Sequence, residues 1–269
     1  MPLADFQAYQ AALQRVSAAD FQQSLATGSA ARLTDLAVTF LPAPAVPTAS
    51  VALGRDSDRA INGPTQRAGT GRMAILGGRI SPAGASGVAL MLVDVLNISG
   101  GLNGTLATAQ TTGLPTAALT RYTSGEGVQA ALVIHSVLGT TAVTATCSYT
   151  NQAGVAGRIT PAFAIDSGSR QTGCLRPLPL QGGDTGIRSV ESVTLSASTG
   201  TAGNFGVVLF KPLAMMFAND VEGANVIDCV STGRMVGQFA DYENDACLSC
   251  FAVMQANQIV NGAILVGEV

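Results

Sequence analysis

Two stretches of the chain alternate apolar and polar residues with a period of two. In residues 142–148, valine, alanine and cysteine alternate with threonine and serine, and residues 193–197 repeat the pattern. This is the period of a β-strand with one buried face. Apolar runs bounded by turn residues predict further strands at 88–98, 204–210, 225–230 and 259–266.

Turn residues punctuate the chain between these runs. The sequence contains 31 glycines, and the stretches 128–138 and 142–149, on either side of Gly139, predict a β-hairpin. A second turn at 151–154 would extend this hairpin into a meander. Because no helical pattern of 10–15 residues separates the strands, we expect a mainly β fold, an antiparallel β-sandwich or jelly roll, rather than a parallel α/β sheet.

The N-terminal region has a different period. Leu3, Phe6, Leu13 and Val16 fall near one face of a helix, and residues 17–20 resemble a capping box, which predicts two short helices over residues 3–27. We therefore divide the chain into a helical arm, residues 1–34, and a β-rich domain, residues 35–269. A division of that domain into two β subdomains near residues 170–185 is left open, as is whether the arm packs on its own domain or on a neighbour.

Two segments after the arm predict irregular structure. Residues 43–47 are rich in proline and predict a linker or an edge crossing. Residues 54–71 hold little apolar material and predict an exposed loop.

Charge is scarce in this chain. Charged residues make up 12% of the sequence, against about 25% in an average soluble domain, which favours a surface that is largely covered by partners. Lys211 is the single lysine, the arginines are scattered and the net charge is −3, so we expect no direct binding of nucleic acid.

Neither a membrane span nor a signal peptide is expected. The most apolar stretch, residues 87–98, is interrupted by Asp94 and is shorter than the roughly 20 apolar residues of a spanning helix. The N-terminal residues lack the basic and apolar regions of a signal peptide. Synthesis in a reducing cytoplasm is the expectation.

Motifs for catalysis are missing from the sequence. His135 is the single histidine, and alternation places it on one strand face with Val133 and Val137, which indicates a structural role rather than that of a catalytic base. The sequence has no Gly-x-Ser-x-Gly elbow, no phosphate-binding loop and no Gly-x-Gly-x-x-Gly motif. We expect no enzymatic activity, no catalytic residue and no bound cofactor.

Acidic residues accumulate in the C-terminal third of the chain. Asp241, Glu243 and Asp245 alternate in a short segment that could offer oxygen ligands to Ca²⁺, but this segment lacks the glycine and the distal glutamate of an EF-hand loop. A solvated acidic loop without a metal ion is therefore expected. A glycosidase with two carboxylates distant in sequence stays open on spacing alone.

The chain has five cysteines: Cys147, Cys174, Cys229, Cys247 and Cys250. The last two have the Cys-x-x-Cys spacing of half a zinc knuckle or of a redox pair, without a second ligand pair or an α/β setting. Reduced, packed thiols are the main expectation. The alternative is that Cys247 or Cys250 is exposed and forms a disulfide between subunits in an oxidising medium.

Two stretches of sequence resemble known virion proteins. Residues 121–130, which read RYTSGEGVQA and continue to residues 148–158, are similar to structural proteins of tailed-bacteriophage particles. Residues 179–190, PLQGGDTGIRSV, together with residues 193–196 and 203–212, are similar to them as well. The resemblance implies a component of a virus particle and carries no catalytic signature with it.

The expected function is therefore structural. The leading hypothesis is a capsid decoration or minor head protein of a tailed phage, a homo-oligomer that contacts the major capsid protein or other virion proteins. A tail, collar or baseplate protein and a receptor-binding spike are the alternatives. The expected location is the virion, after assembly in the host cytoplasm.

Overall fold

The described part of the chain folds into β-strands joined by turns. A computed structural model describes residues 17–25, 32–35, 44–61, 72–82, 87–114, 119–166, 170–218, 225–228, 241–254 and 258–268. The strands are β1 Ser17–Leu25, β2 Arg32–Asp35, β3 Val51–Ala52, β4 Arg72–Pro82, β5 Val88–Ile98, β6 Gln110–Thr111, β7 Gln129–Ser136, β8 Val143–Asn151, β9 Arg158–Ile159, β10 Phe163–Ile165, β11 Leu175–Pro177, β12 Ile187–Leu195, β13 Asn204–Ala218, β14 Asn225–Asp228, β15 Asp241–Glu243, β16 Leu248–Met254 and β17 Gln258–Glu268.

These strands form three antiparallel sheets. The central sheet has the order β11-β7-β13-β5-β16-β2, with β3 paired to β5. A second sheet has the order β10-β8-β12-β6, with β9 beside β8, and a third has the order β1-β17-β4-β14, with β15 beside β4. We call the second and third sheets the β8 sheet and the β4 sheet.

The central sheet curls until its two edge strands meet. Thr34 of β2 forms an antiparallel bridge with Cys174, the residue before β11. The backbone N–H of Asp35 donates to the carbonyl of Gly173 at 2.9 Å. The sheet is thus a nearly closed barrel.

Three hydrophobic cores result from this arrangement. The barrel interior is filled by one face of its strands, including Val133, Phe210 and Phe251, and by Leu53 and Ala60 of the segment 44–61. The rings of Phe210 and Phe251 meet edge to face, with their centroids 4.9 Å apart. The outer face of the barrel packs at one end against the β8 sheet and at the other end against the β4 sheet.

The mainly β, antiparallel fold predicted from the alternation is confirmed. All described strand pairings are antiparallel, β5 has the predicted bounds, and Val143, Ala145, Val193 and Leu195 are buried as their period predicts. Within the described ranges, no helix has the length and apolar character needed to cross a membrane.

The predicted hairpin of residues 128–149 is wrong. β7 belongs to the barrel and β8 to the β8 sheet, so the two strands face each other across a core instead of sharing hydrogen bonds. The turn at 151–154 is present, and it leads into β9, which pairs with β8 from Ser148↔Ile159 to Tyr149↔Arg158. Two apolar strands joined by a short turn can pair in one sheet or lie in two sheets that face each other. In this chain the strands bury their apolar faces against each other in a shared core, so they lie in different sheets.

The predicted helix over residues 17–27 is also wrong where the structure describes it. Ser17–Leu25 is strand β1, which pairs with β17 over nine positions, from Ser17↔Val266 to Leu25↔Gln258. A ladder of long-range hydrogen bonds overrides a weak local helical preference. The first predicted helix lies outside the described residues, and the domain boundaries at residue 34 and near 170–185 stay predictions.

The expectation of exposure for residues 54–71 is wrong for residues 59–61, which are buried. The segment 44–61 runs irregularly as predicted, apart from the short strand β3, and then turns inward. Residues 62–71 lie outside the described part of the chain.

Candidate functional site

The side chain of Arg121 lies where β5 changes its neighbour. On one edge of β5, β16 pairs as far as Asp94, and β3 pairs from Asn97 onwards. A strand edge without a partner leaves backbone carbonyls that need donors. At this interval a guanidinium provides those donors.

Arg121 binds five acceptor atoms around this interval. Its Nε and Nη2 donate to the two carboxylate oxygens of Asp94, at 2.8 and 2.9 Å, in the bidentate geometry of a strong ion pair. Nη2 also donates to the carbonyls of Leu53 (2.9 Å) and Val95 (3.2 Å), and Nη1 donates to the carboxylate of Asp245 at 3.3 Å. A single side chain thus joins β5, the segment 44–61 and the turn before β16.

This ion pair is buried. The side chains of Arg121 and Asp94 are 3% and 0% exposed. Burial raises the pKa of Asp94, and the hydrogen bonds from Arg121 and from the backbone N–H of Cys247 act against this rise. Burial also disfavours the charged guanidinium, but the hydrogen bond and the charge of Asp94 outweigh it, so that the pKa of Arg121 is raised.

A strained turn carries Arg121 to its position. Tyr122 has a φ of 49°, and it is the non-glycine residue with positive φ in the described part of the chain. Lys211 lies over the Tyr122 ring, with Nζ 5.6 Å from the centroid, and donates to the carbonyl of Glu126 at 2.8 Å. These contacts hold the turn against β13.

Residues 121–130 and 179–190, which are distant in sequence, meet at this turn. The N–H of Gly127 donates to the carbonyl of Thr185 at 3.1 Å, and Arg188 Nε donates to the carbonyl of Ser124 at 3.2 Å. A Cβ on Gly186 would lie 1.9 Å from the carbonyl oxygen of Gly125, so the two backbones approach more closely than any side chain allows. These contacts hold the β8 sheet to the barrel.

A second polar cluster surrounds Asp184. Its carboxylate accepts hydrogen bonds from Tyr149 Oη (2.5 Å), Asn151 Nδ2 (2.8 Å) and Arg158 Nε (3.0 Å). The Tyr149 hydroxyl in turn accepts from the backbone N–H of Gln181 at 2.8 Å. The hydrogen bond from Tyr149, followed by those from Asn151 and Arg158, lowers the pKa of Asp184 against the effect of its burial. The cluster ties the turn 181–184 to β8 and β9.

Polar groups also lie inside the barrel. Arg59 Nη1 donates to Asp35 at 2.8 Å, and both side chains are 4% exposed. His135, on the interior face of β7, donates from Nε2 to the carbonyl of Ser99 at 2.9 Å. Burial, together with the charge of Arg59, lowers the pKa of His135 to about 4, while the Ser99 carbonyl opposes this shift. His135 is thus neutral at pH 7 and packed, in agreement with the structural role that we expected.

Cys247 and Cys250 are packed as the main expectation had it, and the alternative that either is exposed is wrong. Both thiols are free, and they are 0% and 1% exposed. Burial raises the pKa of the Cys247 thiol to about 12 and raises that of Cys250 further. Cys247, the residue before β16, packs inside the barrel, and Cys250 of β16 packs towards the β4 sheet. The two side chains therefore lie in different cores despite their spacing. Cys147 is a free, buried thiol as well, Cys174 is buried, and Cys229 lies outside the described residues.

The predicted acidic loop is only partly solvated. Asp241–Glu243 is strand β15, and Tyr242 within it is 1% exposed. Asp245 is 65% exposed but contributes to the ion pair of Arg121. Among the residues that the structure describes, no group of His, Cys, Asp and Glu side chains is placed to hold a metal ion.

Sequence reasoning missed the residues that form these clusters. In the sequence, Arg121 carries no signal of burial, and Arg59 lies in the segment 54–71, for which an exposed loop is predicted. One signal was available: Asp94 interrupts an otherwise apolar strand, and a carboxylate buried there requires a charged partner. The identity of that partner, 27 residues away, could not be read from spacing.

Together the fold and these clusters define an antiparallel β-barrel flanked by two sheets, with two buried ion pairs, Arg121–Asp94 and Arg59–Asp35, in and beside the barrel. No known family model matches the chain, and no curated protein matches it.

Among solved structures, the chain is similar to proteins of infectious bursal disease virus. A structure of the Gt strain has 8% identity and a TM-score of 0.21, and the match covers 95% of this chain and 80% of that chain. The VP2 subviral particle has 10% identity and a TM-score of 0.19, with 94% and 81% covered. The Gx strain has 9% identity and a TM-score of 0.22, with 93% and 80% covered. Likeness at this level carries no argument about function.

Proposed function

We propose that this chain is a structural subunit of a virus particle, which works by packing against copies of itself and against other particle proteins and does not catalyse a reaction. The observation that carries the proposal is a surface that is both poor in charge and rich in exposed apolar side chains. Soluble monomers normally keep large apolar groups scattered among charges.

Part of this small number of charged side chains lies in the interior. The chain has 14 Lys and Arg and 17 Asp and Glu in 269 residues. In the part of the chain that the structure describes, five of these charged side chains are buried: Asp35, Arg59, Asp94, Arg121 and Arg170. Charged side chains that are buried do not contribute to the hydration of the surface. A protein of this kind gains solubility when neighbours cover it.

Large apolar side chains are exposed at several places on this surface. Met215 and Phe217 are 52% and 54% exposed on the same face of β13. The others are Val46, Val51, Leu106, Val137, Val155, Ile159 and Leu265. Interfaces of permanent assemblies are more apolar than the rest of a protein surface, and these side chains would be covered there.

The finer proposal is a capsid decoration or minor head protein of a tailed phage. It is supported by the resemblance of residues 121–130, 148–158 and 179–190 to structural proteins of tailed-bacteriophage particles. Such a protein would stabilise the shell by bridging capsid subunits.

Sedimentation velocity of the purified full-length chain, together with absolute protein counting in particles of the virus that encodes it, tests the proposal. We expect a homo-oligomer in solution and a fixed, high copy number that scales with the major capsid protein. A copy number of three, six or twelve would move the protein to the tail, collar or baseplate. A monodisperse monomer that turns over a substrate would overturn the structural role.

A further inference from the structure

The contact that closes the barrel, between β2 and the residues before β11, involves fewer paired residues than the ladders between its other strands. β7 and β13 pair along a ladder from Asn204↔Ser136 to Phe210↔Gln129. By contrast, β2 meets the far edge of the barrel at the bridge Thr34↔Cys174 and at the hydrogen bond from Asp35 to Gly173. With four residues, β2 is also short on its other side, where it pairs with β16.

An ion pair specific to this strand holds β2 in place. Asp35 faces the barrel interior beside Phe251, and its carboxylate accepts from Arg59, which belongs to the segment 44–61. That segment is anchored to other strands, through the hydrogen bonds from Leu53 to Leu96 and from Ile61 to Leu248. The contact between Arg59 and Asp35 therefore joins β2 to a segment that is anchored independently to other strands of the barrel.

If β2 left the barrel, water would compensate for part of the contacts that are lost. Its departure frees a buried ion pair, which stabilises a fold less than well-packed apolar residues of similar volume would. Ser249, on the interior face of β16, has no hydrogen-bond partner for its Oγ among the described residues, so water that enters the opened barrel could satisfy it. What remains costly is the unpaired edge of β16 and the loss of cover by Leu33.

We propose that β2 exchanges between copies of this chain, so that the β2 of one copy closes the barrel of another. The vacated place requires an extended strand with an acid opposite Arg59 and an apolar residue two positions earlier. A second copy supplies that strand with identical chemistry, and exchange of an identical element is a low-cost route to oligomers. This inference rests on the self-assembly in the proposed function and names the strand that would carry it.

A disulfide between Thr34→Cys and the native Cys174 tests the exchange, because directly paired antiparallel positions have the Cα separation that a disulfide needs. One full-length chain carries Thr34→Cys and Cys174→Ala, and a second keeps Thr34 and Cys174. All other cysteines are replaced by alanine in both. After the two chains are mixed, assembled and oxidised, a covalent dimer on a non-reducing gel can form only if β2 of one copy reaches the barrel of the other.

A matched mixture provides the control. Val193 of β12 pairs with Cys147 of β8 inside the β8 sheet. A chain with Val193→Cys and Cys147→Ala, mixed with a chain that keeps Cys147, should give no covalent dimer. A single chain that carries both Thr34→Cys and Cys174 should give a disulfide, within or between copies, and shows that the pair can form.

We expect a covalent dimer in the oligomer fraction of the β2 mixture alone. If the single chain forms its disulfide but the mixture gives no dimer, exchange is overturned while self-assembly stands. If neither forms a disulfide, β2 does not sit beside Cys174, and the inference fails. If the chain sediments only as a monomer, the proposed function fails first and exchange falls with it.

Discussion

The guanidinium of Arg121 occupies a place where backbone pairing alone would leave acceptors unsatisfied. It satisfies the carboxylate of Asp94 and the carbonyls of Leu53 and Val95 with one planar group. Lysine, with a single ammonium, could not reach these acceptors in the same geometry. The ion pair between Arg121 and Asp94 is therefore required for the junction at which β5 changes its neighbour from β16 to β3.

Replacement of Arg121 by methionine tests this condition. Because the change leaves the Asp94 carboxylate buried without its partner, we expect the free energy of unfolding to fall by about 3–5 kcal/mol. Chemical denaturation measures it. Arg55→Met is the control, since Arg55 pairs with Asp56 in an exposed position (45% and 88%), and a change within about 0.5 kcal/mol is expected. A loss for Arg121→Met as small as that of the control would contradict the role.

His135 makes the stability of the barrel depend on pH. Its pKa is about 4 in the folded chain, against 6.5 when unfolded, so the unfolded state binds more protons between these values. The contribution of His135 to the free energy of unfolding is fully present above pH 6.5. It is lost as the pH falls towards 4, and the loss is about 3 kcal/mol. Denaturation of the wild type and of His135→Gln across this window measures the effect. An equal slope for both proteins would show that other groups are responsible.

At the scale of elements, close contacts between backbones determine where the layers meet. Gly206 of β13 is such a place, because a Cβ there would lie 1.9 Å from the carbonyl oxygen of Ser99. The backbone of β13 is thereby held against the end of β5. Similar close approaches occur at Gly186 and at Gly139.

Gly206→Ala should force these backbones apart and destabilise the chain by about 3 kcal/mol or more. Gly182→Ala is the matched control, because a Cβ there meets nothing within 4 Å, and a change within about 0.5 kcal/mol is expected. Thermal unfolding of the two variants beside the wild type measures the difference. Equal midpoints would show that the contact at Gly206 relaxes without cost.

The apolar-polar period of the sequence predicts some features of the strands and not others. The alternation of residues 142–148 predicts β8 and its buried face, whereas that of residues 193–197 predicts only the end of β12, where Val193 and Leu195 are buried. The period was insufficient to predict that β7 and β8 lie in different sheets, because strands on opposite sides of a core carry the same pattern as strands side by side. The helical period before residue 27 gave way to β1, since β17 offered a complete ladder.

At the scale of the whole molecule, the balance of charge distinguishes the interior from the surface. Ion pairs occur inside the barrel and at its junction with β3, while apolar side chains such as Met215 and Phe217 are exposed. A monomer gains little from this distribution. A subunit surrounded by neighbours gains apolar contact at its surface and keeps a rigid interior, which is the reason for the proposed assembly.

Composition and period, read from the sequence by themselves, determined the mainly β class, several strands such as β5, β8 and β13, and the packed role of His135, because burial imposes a local period on a strand. They did not predict β1, β4 or β16. Only the tertiary structure decided the closure of the barrel, the partners of Asp94 and Asp35, and the separation of Cys247 from Cys250. These depend on which distant segments lie together, and such contacts leave no period in the chain that forms them.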